Sequence, residues 1–300
     1  MSNNAGEGLW PPDGISTAKV HGTSNTFIIC DDAHDTWEPT AAQVRAMCSP
    51  TVGIGADGFI RCVYTDDIWF MDYRNADGSY AQMCGNGVRA FVHHLRHRGY
   101  IDLGVGDTLP VRTRGGLKKV QRLADRDGQA WYAVDMGAPV TNGTANMMVT
   151  VPGVDGIFEA VHVDIPNPHA VVAFDRREDL TAAVLPLCDA DAAPPHMRPI
   201  YSPTPPDGIN LELTVDITTH SEREGGYGHL VMRVLERGVG ETASCGTGCC
   251  AAAVAAALRQ GKGAPTHWLI DVPGGRIDVE LRPDTVILMG PACHIADILW

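Results

Sequence analysis

Two cysteines stand at the same kind of position in the sequence, directly before a glycine-rich helix start. Cys84 opens the run CGNGVRAF and Cys245 opens CGTGCCAAAVAAAL, so each begins a Cys-Gly-x-Gly motif that leads into a helical pattern. The first N–H groups of a helix have no intrahelical partner, and the helix dipole adds about half a positive charge there. Such an end favours the thiolate of a cysteine, and it also binds carboxylates.

A single activated cysteine suits a nucleophile, whereas a pair of them suits a different reaction. One thiolate can remove a proton from a carbon while the other thiol delivers a proton to the opposite face, which inverts the stereocentre. The helix ends then stabilise the negative charge that develops on a substrate carboxylate. The pair therefore indicates a two-base racemase or epimerase, for which we expect no cofactor and no metal.

Other functions stay open on the residues alone. A Cys–His hydrolase with His169 of NPHAVV as its base is one of them, although it leaves the second cysteine motif unexplained. A dithiol redox or binding protein is another. Zinc ligation by Cys245, Cys249 and Cys250 is disfavoured, because the sequence has no Cys-x-x-Cys pair and no histidine at finger spacing.

Length and composition narrow the class of protein. The chain has 300 residues, 44% of them hydrophobic, which is enough for a large core and is more typical of two domains than of one. A net charge of −13 argues against a nucleic-acid partner. The sequence contains no apolar run of membrane-spanning length, and its start lacks the features of a signal peptide. We expect a cytoplasmic protein with no membrane partner, with a flexible tail over residues 1–14 and with free thiols.

The pattern of elements predicts an α+β fold in two related halves. Each cysteine motif is followed by a helix and then by two strand-like runs around a Gly-Gly turn, LPVRTRGGLKKV in the first case and IDVPGGRIDVEL in the second. Most other segments read as short strands, whereas helical pattern is sparse. We place the boundary near residue 139, giving halves 1–139 and 140–290, and expect residues 291–300 to pack back on the first half.

The motifs together resemble those of the diaminopimelate epimerases over residues 18 to 297. The resemblance is carried by NADGSYAQMCGNGVRAF and ERGVGETASCGTG, with GIGADG, NPHAVV and MGPA in support. It implies two pseudo-symmetric halves, each a mixed β-sheet wrapped around a central helix, with the active site in the cleft between them. It also implies a homodimer, an amino acid as a small-molecule substrate, and conversion of LL-diaminopimelate to the meso isomer without a cofactor.

The resemblance assigns roles to residues at matching positions. Cys84 and Cys245 correspond to the acid/base pair, and His169 and Glu236 to polar groups near the reacting carbon. The carboxylate cradle at the helix ends corresponds to Gly85, Asn86, Gly246 and Thr247. The remaining substrate-binding positions are Asn25, Asn75, Asn167, Asn210, Glu236 and Arg237, so Glu236 is assigned both roles. Asn86 distinguishes the chain from the proline racemases, which usually carry histidine there.

One motif departs from the family. The family's HGLGNDF is HGTSNTF here, which keeps Asn25 but changes three neighbours to Thr23, Ser24 and Thr26. Because this stretch borders the substrate in the family, an epimerase or racemase for another amino acid of secondary metabolism remains the alternative. Arg237 could hold the distal carboxylate of diaminopimelate, while Glu236 and amide oxygens accept from its ammonium group.

Overall fold

The protein is described by a computed structural model. The described residues are 10–12, 14–141, 143 and 145–300. The chain divides into two compact units: unit 1 is Met1–Val134 with Pro291–Trp300, and unit 2 is Asp135–Gly290. The tail predicted for residues 1–14 lies mostly outside the described residues. In its described part, Trp10 stacks on Trp300 with 4.9 Å between the ring centroids.

Unit 1 contains a mixed β-sheet and two helices. Its strands are β1 (Thr17–Gly22), β2 (Asn25–Asp31), β3 (Gly58–Thr65), β4 (Ile68–Asn75), β5 (Thr108–Thr113), β6 (Gly116–Arg122), β7 (Ala130–Asp135) and the end of β17 (Thr285–Ile298). Its helices are α1 (Ala41–Cys48) and α2 (Gly85–His97). Consecutive strands pair antiparallel, except that β2–β3 and β4–β5 are parallel. The end of β17 pairs antiparallel with β1.

Unit 2 repeats this plan with more strands. Its strands are β8 (Ala145–Thr150), β9 (Phe158–Ile165), β10 (Asn167–Phe174), β11 (Ile200–Ser202), β12 (Asn210–Asp216), β13 (Tyr227–Glu236), β14 (Gly240–Thr242), β15 (His267–Val272), β16 (Gly275–Arg282) and the start of β17. Its helices are α3 (Arg177–Ala182), α4 (His220–Glu224), α5 (Gly246–Gln260) and a 3-10 turn, Pro195–Met197. The pairs β10–β12 and β13–β15 are parallel, and the neighbouring pairs are antiparallel.

One helix in each unit lies buried against the sheet. In α2 the predicted apolar positions Val88, Phe91, Val92 and Leu95 are all fully buried. Along α5 the alanines from Ala251 to Ala253 are fully buried, and their small side chains let the strands approach the helix closely. The predicted α+β fold, with a mixed sheet around a central helix in each half, is confirmed.

The predicted hairpins after these helices are also present. They are β5–β6 and β15–β16, whose turns contain Gly116 and Gly275 in the positive-φ region that suits glycine. The sequence pattern missed α3 and α4, which have 6 and 5 residues and are too short to show a helical period. No helix in the described residues is long and apolar enough to cross a membrane.

Candidate active site

Cys84 caps the N-terminus of α2 with its side chain. Its backbone is extended, with φ −137° and ψ 122°, and its Sγ accepts a hydrogen bond from Gly87 N at 3.4 Å. Serine or threonine usually fills this capping position. Gly85 and Asn86 follow as the first helical residues, where N–H groups have no intrahelical acceptor. The predicted thiol and the predicted cradle residues of unit 1 therefore form one helix end.

Asn25 joins this helix end from the start of β2. The Cys84 thiol donates to Asn25 Oδ1 at 3.7 Å, and Asn86 Nδ2 donates to the same oxygen at 3.5 Å. Asn25 Nδ2 donates to Asp57 Oδ2 at 3.1 Å. Because a carboxylate can only accept, Asp57 turns the amide so that its oxygen faces the thiol. Asp57 belongs to the GIGADG motif, but nothing in that motif predicts its contact with Asn25.

The changed residues of HGTSNTF have contacts of their own. Thr26 replaces the family's aspartate, and its Oγ1 donates to Asp57 Oδ2 at 2.9 Å, so that a hydroxyl rather than a second carboxylate faces Asp57. Thr23 and Ser24 form the turn between β1 and β2 with φ of 54° and 61°. These values lie in the left-handed region that is costly for side chains other than glycine.

Arg89 is a buried residue that the sequence analysis missed. Its NH2 group donates to Asn86 Oδ1 at 2.9 Å and to Thr23 Oγ1 at 3.0 Å, and its NH1 group donates to Gly85 O at 3.2 Å. The guanidinium thus ties the first turn of α2 to the turn between β1 and β2. The available signal was a charged residue among apolar helix positions in NGVRAF.

Asn75 ends β4 in the same unit. It is exposed, and its Nδ2 donates to Ser79 Oγ at 3.0 Å within the turn that follows the strand. Gly78 N donates to Asn75 O at 2.9 Å in that turn. These contacts order the start of the segment that leads to Cys84, and its substrate-binding role stays a prediction.

Cys245 caps α5 as Cys84 caps α2. Its φ is −121° and its ψ is 112°, and its Sγ accepts from Gly248 N at 3.4 Å. Thr247 Oγ1 lies 3.4 Å from the same sulfur, and Gly246 is the first helical residue. The local geometry of the two cysteine motifs is therefore the same, as the sequence repeat predicts.

The surroundings of the second thiol are more acidic. Thr242 Oγ1 donates to Glu236 Oε1 at 2.5 Å, and the Glu236 carboxyl also shares a hydrogen bond with Cys245. Burial raises the pKa of the Cys245 thiol well above its ordinary value, and the charges of Glu236 and Glu212 raise it further. Burial also raises the pKa of Glu236. The Glu236 carboxyl therefore lies at the Cys245 thiol, and its role near the reacting carbon stays a prediction.

His169 lies on β10 and is paired with a residue that was not predicted. Its Nδ1 lies 2.7 Å from Glu212 Oε1, and its Nε2 lies 3.2 Å from Asn167 Oδ1. The side chains of His169 and Glu212 are completely buried. Glu212 is a charged residue in the strand run NLELTV, but its partner is 43 residues away in the chain.

Asn210 is the first residue of β12, and Arg237 directly follows β13. Asn210 Oδ1 accepts from Arg237 N at 2.9 Å, and its Nδ2 donates to Pro168 O at 3.0 Å. Arg237 is exposed, and its NH1 group donates to Asp207 O at 2.9 Å. The aliphatic part of the Arg237 side chain packs closely on Gly208, where a Cβ would lie only 2.9 Å from Arg237 Cδ. Unit 2 therefore assembles its predicted residues along adjoining strands and turns.

A further group of side chains in unit 1 has the composition of a metal site. The ligand atoms of Asp31, Cys62 and His94 lie within 4.8 Å of one another. However, His94 Nε2 is hydrogen-bonded to Asp31 Oδ1 at 2.6 Å, and the Arg98 guanidinium lies 3.1 Å from Asp31 Oδ2. Burial raises the pKa of Cys62 far above its ordinary value. Asp31 is therefore hydrogen-bonded to His94 and ion-paired with Arg98, and the group was not among the predicted site residues.

Comparison with known proteins identifies a matching family model and similar sequences. A family model described as diaminopimelate epimerase matches residues 17–156 and 161–295. The diaminopimelate epimerase of Streptomyces coelicolor is 38% identical, with 94% of each chain covered. That of Corynebacterium glutamicum is 37% identical, with 94% of this chain and 96% of the relative covered.

Solved structures share the fold at low sequence identity. A PhzF-family phenazine biosynthesis protein from Bacillus anthracis has a TM-score of 0.66 at 14% identity, covering 95% of this chain and 99% of the other. A hydroxyproline epimerase from Agrobacterium vitis has a TM-score of 0.60 at 14% identity, covering 95% and 90%. The sequence matches confirm the resemblance carried by the two cysteine motifs: the chain belongs to the diaminopimelate epimerase family.

Proposed function

We propose that the protein epimerises LL-diaminopimelate to the meso isomer by a two-base reaction of Cys84 and Cys245. The observation that carries the proposal is that both thiols cap buried helices in the same way, each accepting from a backbone N–H at 3.4 Å. Both proton-transfer groups belong to the chain itself, so the proposed reaction uses neither a metal nor a cofactor. The relatives named diaminopimelate epimerase support the choice of substrate.

In the proposed reaction, one sulfur is a thiolate and the other a thiol. The thiolate takes the α-proton from one face of the carbon, and the thiol gives its proton to the opposite face. A sulfur–hydrogen bond and a carbon–hydrogen bond form while one of each breaks, so atoms and charge balance. The reverse reaction exchanges the two roles. The reaction requires both thiols to reach opposite faces of the same carbon.

The cradle would hold the carboxylate next to the reacting carbon. The N–H groups of Gly85 and Asn86, and those of Gly246 and Thr247, occupy first-turn positions that bind anions. As the α-carbon loses its proton, negative charge moves onto this carboxylate, where fixed N–H groups stabilise it. Removing one such donor typically costs about 100- to 1,000-fold in turnover.

The distal end of the substrate would be held by unit 2. Arg237 offers a guanidinium for the second carboxylate, and Glu236 and the amide oxygens accept from the ammonium group. Asn25 and Asn75 of unit 1, and Asn167 and Asn210 of unit 2, complete the proposed substrate contacts. His169 would be a polar neighbour of the reacting carbon. Its Nε2 is hydrogen-bonded to Asn167 rather than to a thiol, which argues against a role as the base of a Cys–His hydrolase.

We also propose that the enzyme is a cytoplasmic homodimer. A reducing compartment suits a reaction that needs two free thiols, because two cysteines that reach one carbon can oxidise to a disulfide. The end of β17 and the residues after it offer apolar surface for self-association, since Ile295 is 50% exposed and Leu299, just beyond the strand, is 98% exposed. The molar mass measured by light scattering tests the dimer. The wild-type protein should be dimeric, and the charge introduced by Ile295→Glu should dissociate it into monomers.

Proton NMR in deuterated water tests the reaction. The purified, reduced protein should wash out the α-proton signal of LL-diaminopimelate and build up the meso isomer. Treatment with a chelator should leave the rate unchanged. Exchange only with a monocarboxylic amino acid would replace diaminopimelate by the alternative substrate class, and absence of exchange with every amino acid tried would overturn the epimerase proposal.

A further inference from the structure

The buried pair Glu212 and His169 lies on adjacent parallel strands under the second cysteine. In the register of β10 and β12, His169 is opposite Asn210 and Val171 is opposite Glu212. The carboxyl and imidazole groups are completely buried, with 2.7 Å between Oε1 and Nδ1. Buried polar groups at this separation act as one hydrogen-bonded unit.

The contacts of this pair fix how many protons it carries. Asn167 Oδ1 lies 3.2 Å from His169 Nε2, and an amide oxygen can only accept, so Nε2 carries a proton. The hydrogen bond between Nδ1 and Glu212 Oε1 contains a second proton. The pair is therefore either an imidazolium with a carboxylate or an imidazole with a carboxylic acid. In both forms it holds two protons and has no net charge.

The proton on His169 Nε2 determines whether the oxygen or the NH2 group of the Asn167 amide is available to other hydrogen-bond partners. With Oδ1 engaged by His169, the NH2 group of Asn167 is directed away from the imidazole. An NH2 group donates hydrogen bonds to oxygens and cannot accept from an ammonium group. If His169 Nε2 lost its proton, it would become an acceptor, and the Asn167 amide would have to turn round to keep the contact.

We propose that Glu212 is a positioning residue that acts through His169 to hold Asn167 with its NH2 group available to a substrate carboxylate. The proposal rests on the proposed function, in which Asn167 contacts the amino-acid substrate. It adds that Asn167 reads a carboxylate of that substrate rather than its ammonium group, and that Glu212 sets this preference without touching the substrate.

The surroundings hold Glu212 in this position. A Cβ on Gly248, in the first turn of α5, would lie 2.6 Å from Glu212 Oε1, so the helix backbone packs directly against the carboxyl group. Glu212 Oε2 is buried and has no hydrogen-bond partner. The first turn of α5, which has a partial positive charge, lies next to this carboxyl group on its Oε1 side. Among the described residues, ionisable side chains whose charges interact with Glu212 include His169, Tyr201, Glu236 and Cys245.

Two substitutions at residue 212 test the role of the carboxyl group. Glu212→Leu removes the hydrogen bond to Nδ1, frees the ring to change tautomer and should raise KM for diaminopimelate about 10- to 100-fold, the usual effect of losing a hydrogen bond to a charged group. The turnover number should change much less. Glu212→Gln can donate from its amide to Nδ1 and keep Nε2 protonated, so it should restore KM to within a few-fold of wild type.

A matched control separates this role from a general loss of stability. Glu280→Leu removes a carboxylate from another strand of unit 2 and should leave KM unchanged. If folded Glu212→Leu had the KM of wild type, or if Glu212→Gln raised KM as much as the leucine variant, the positioning role would be wrong.

A second measurement needs neither substrate nor an active enzyme. In protein labelled with ¹⁵N-histidine, the Nε2 signal of His169, identified by its loss in His169→Gln, should have the shift and the attached proton of a protonated nitrogen near neutral pH. An unprotonated Nε2 would overturn the proposal even if the leucine variant failed to fold. The result is independent of whether diaminopimelate is the substrate, so failure of the proposed function would be recognised separately.

Discussion

A Cβ atom on Gly248 would stand 2.6 Å from Glu212 Oε1, whereas a Cβ on the matching Gly87 of unit 1 would lie 3.3 Å from Cys84 Cβ and 3.4 Å from the Phe27 ring. The first distance is a severe overlap with a buried side chain, and the second is a tight contact. The two helix ends look alike in sequence, but only the one in unit 2 packs directly on a carboxyl group.

Alanine at these two glycines should therefore have unequal effects. Gly248→Ala should lower the free energy of unfolding by about 1–3 kcal/mol, the usual cost of overpacking, and should reduce epimerase activity because it displaces Glu212. In Gly87→Ala the better helix propensity of alanine, about 1 kcal/mol, offsets the tight contact. Urea denaturation of both variants measures the difference. Equal losses of unfolding free energy in the two variants would show that the Glu212 side chain can move away from the added methyl group without loss of stability.

Loss of either catalytic thiol should stop inversion. Cys84→Ala and Cys245→Ala should each lower turnover by at least about 100-fold, because proton transfer by a positioned side chain typically contributes about 10²- to 10⁴-fold. Cys188→Ala is the matched control, since Cys188 is an exposed free thiol, and it should keep full activity. Near-normal turnover in either catalytic variant would exclude the two-base reaction, and a hydrolase would need only one of the two thiols.

The acidic neighbours of Cys245 should be visible in the pH dependence of its alkylation. Burial raises the pKa of this thiol, and the negative charges of Glu236 and Glu212 add to the effect. Glu236→Gln removes one of these charges, so it should lower the pKa of Cys245 and move the rise of its alkylation rate to lower pH. Mass spectrometry of iodoacetamide-treated protein at a series of pH values measures this rate. Cys84 in the same sample is the internal reference, and an unshifted curve for Cys245 would contradict the assigned cause.

Arg237 should make the enzyme prefer a dicarboxylic substrate. Diaminopimelate should exchange its α-proton at least about 30-fold faster than lysine, which lacks the second carboxylate; this is the lower end of the cost of breaking a desolvated charge pair. The lower end applies because Arg237 is exposed before substrate binds. Arg237→Leu should reduce the ratio towards one. A ratio near one in the wild-type protein would instead favour another amino acid as substrate.

The two left-handed residues of the turn between β1 and β2 should respond differently to replacement by glycine. Ser24→Gly should raise the free energy of unfolding by about 1 kcal/mol, because Ser24 has φ 61° and is exposed. Thr23→Gly relieves a similar φ but removes the Oγ1 that accepts from buried Arg89, so it should give no gain. Thermal unfolding of the two variants decides the point, and equal stabilisation would mean that the Arg89 contact is unimportant.

The sequence was informative wherever the signal was local. Cys84 and Cys245 could be placed at helix ends from four-residue motifs, and both are N-caps in the structure. The strands and the two hairpins also followed from short patterns. Glu212 and Asp57 could not be found in this way, because their partners are brought to them by strand pairing. His169 meets Glu212 only through the parallel register of β10 and β12, and Asn25 meets Asp57 across 32 residues of chain.

As an N-cap, each of the two cysteine sulfurs has a structural role in addition to its proposed chemical role. Each Sγ accepts an N–H of the helix that it begins, so the atom expected to exchange protons with substrate also anchors the first turn of the central helix of its unit. Alkylation or oxidation of either sulfur should therefore loosen a helix end in addition to blocking proton transfer. Replacement of either cysteine by serine would separate the two roles. Serine is a good N-cap and should preserve the start of the helix, but its hydroxyl is too weakly acidic to support the reaction.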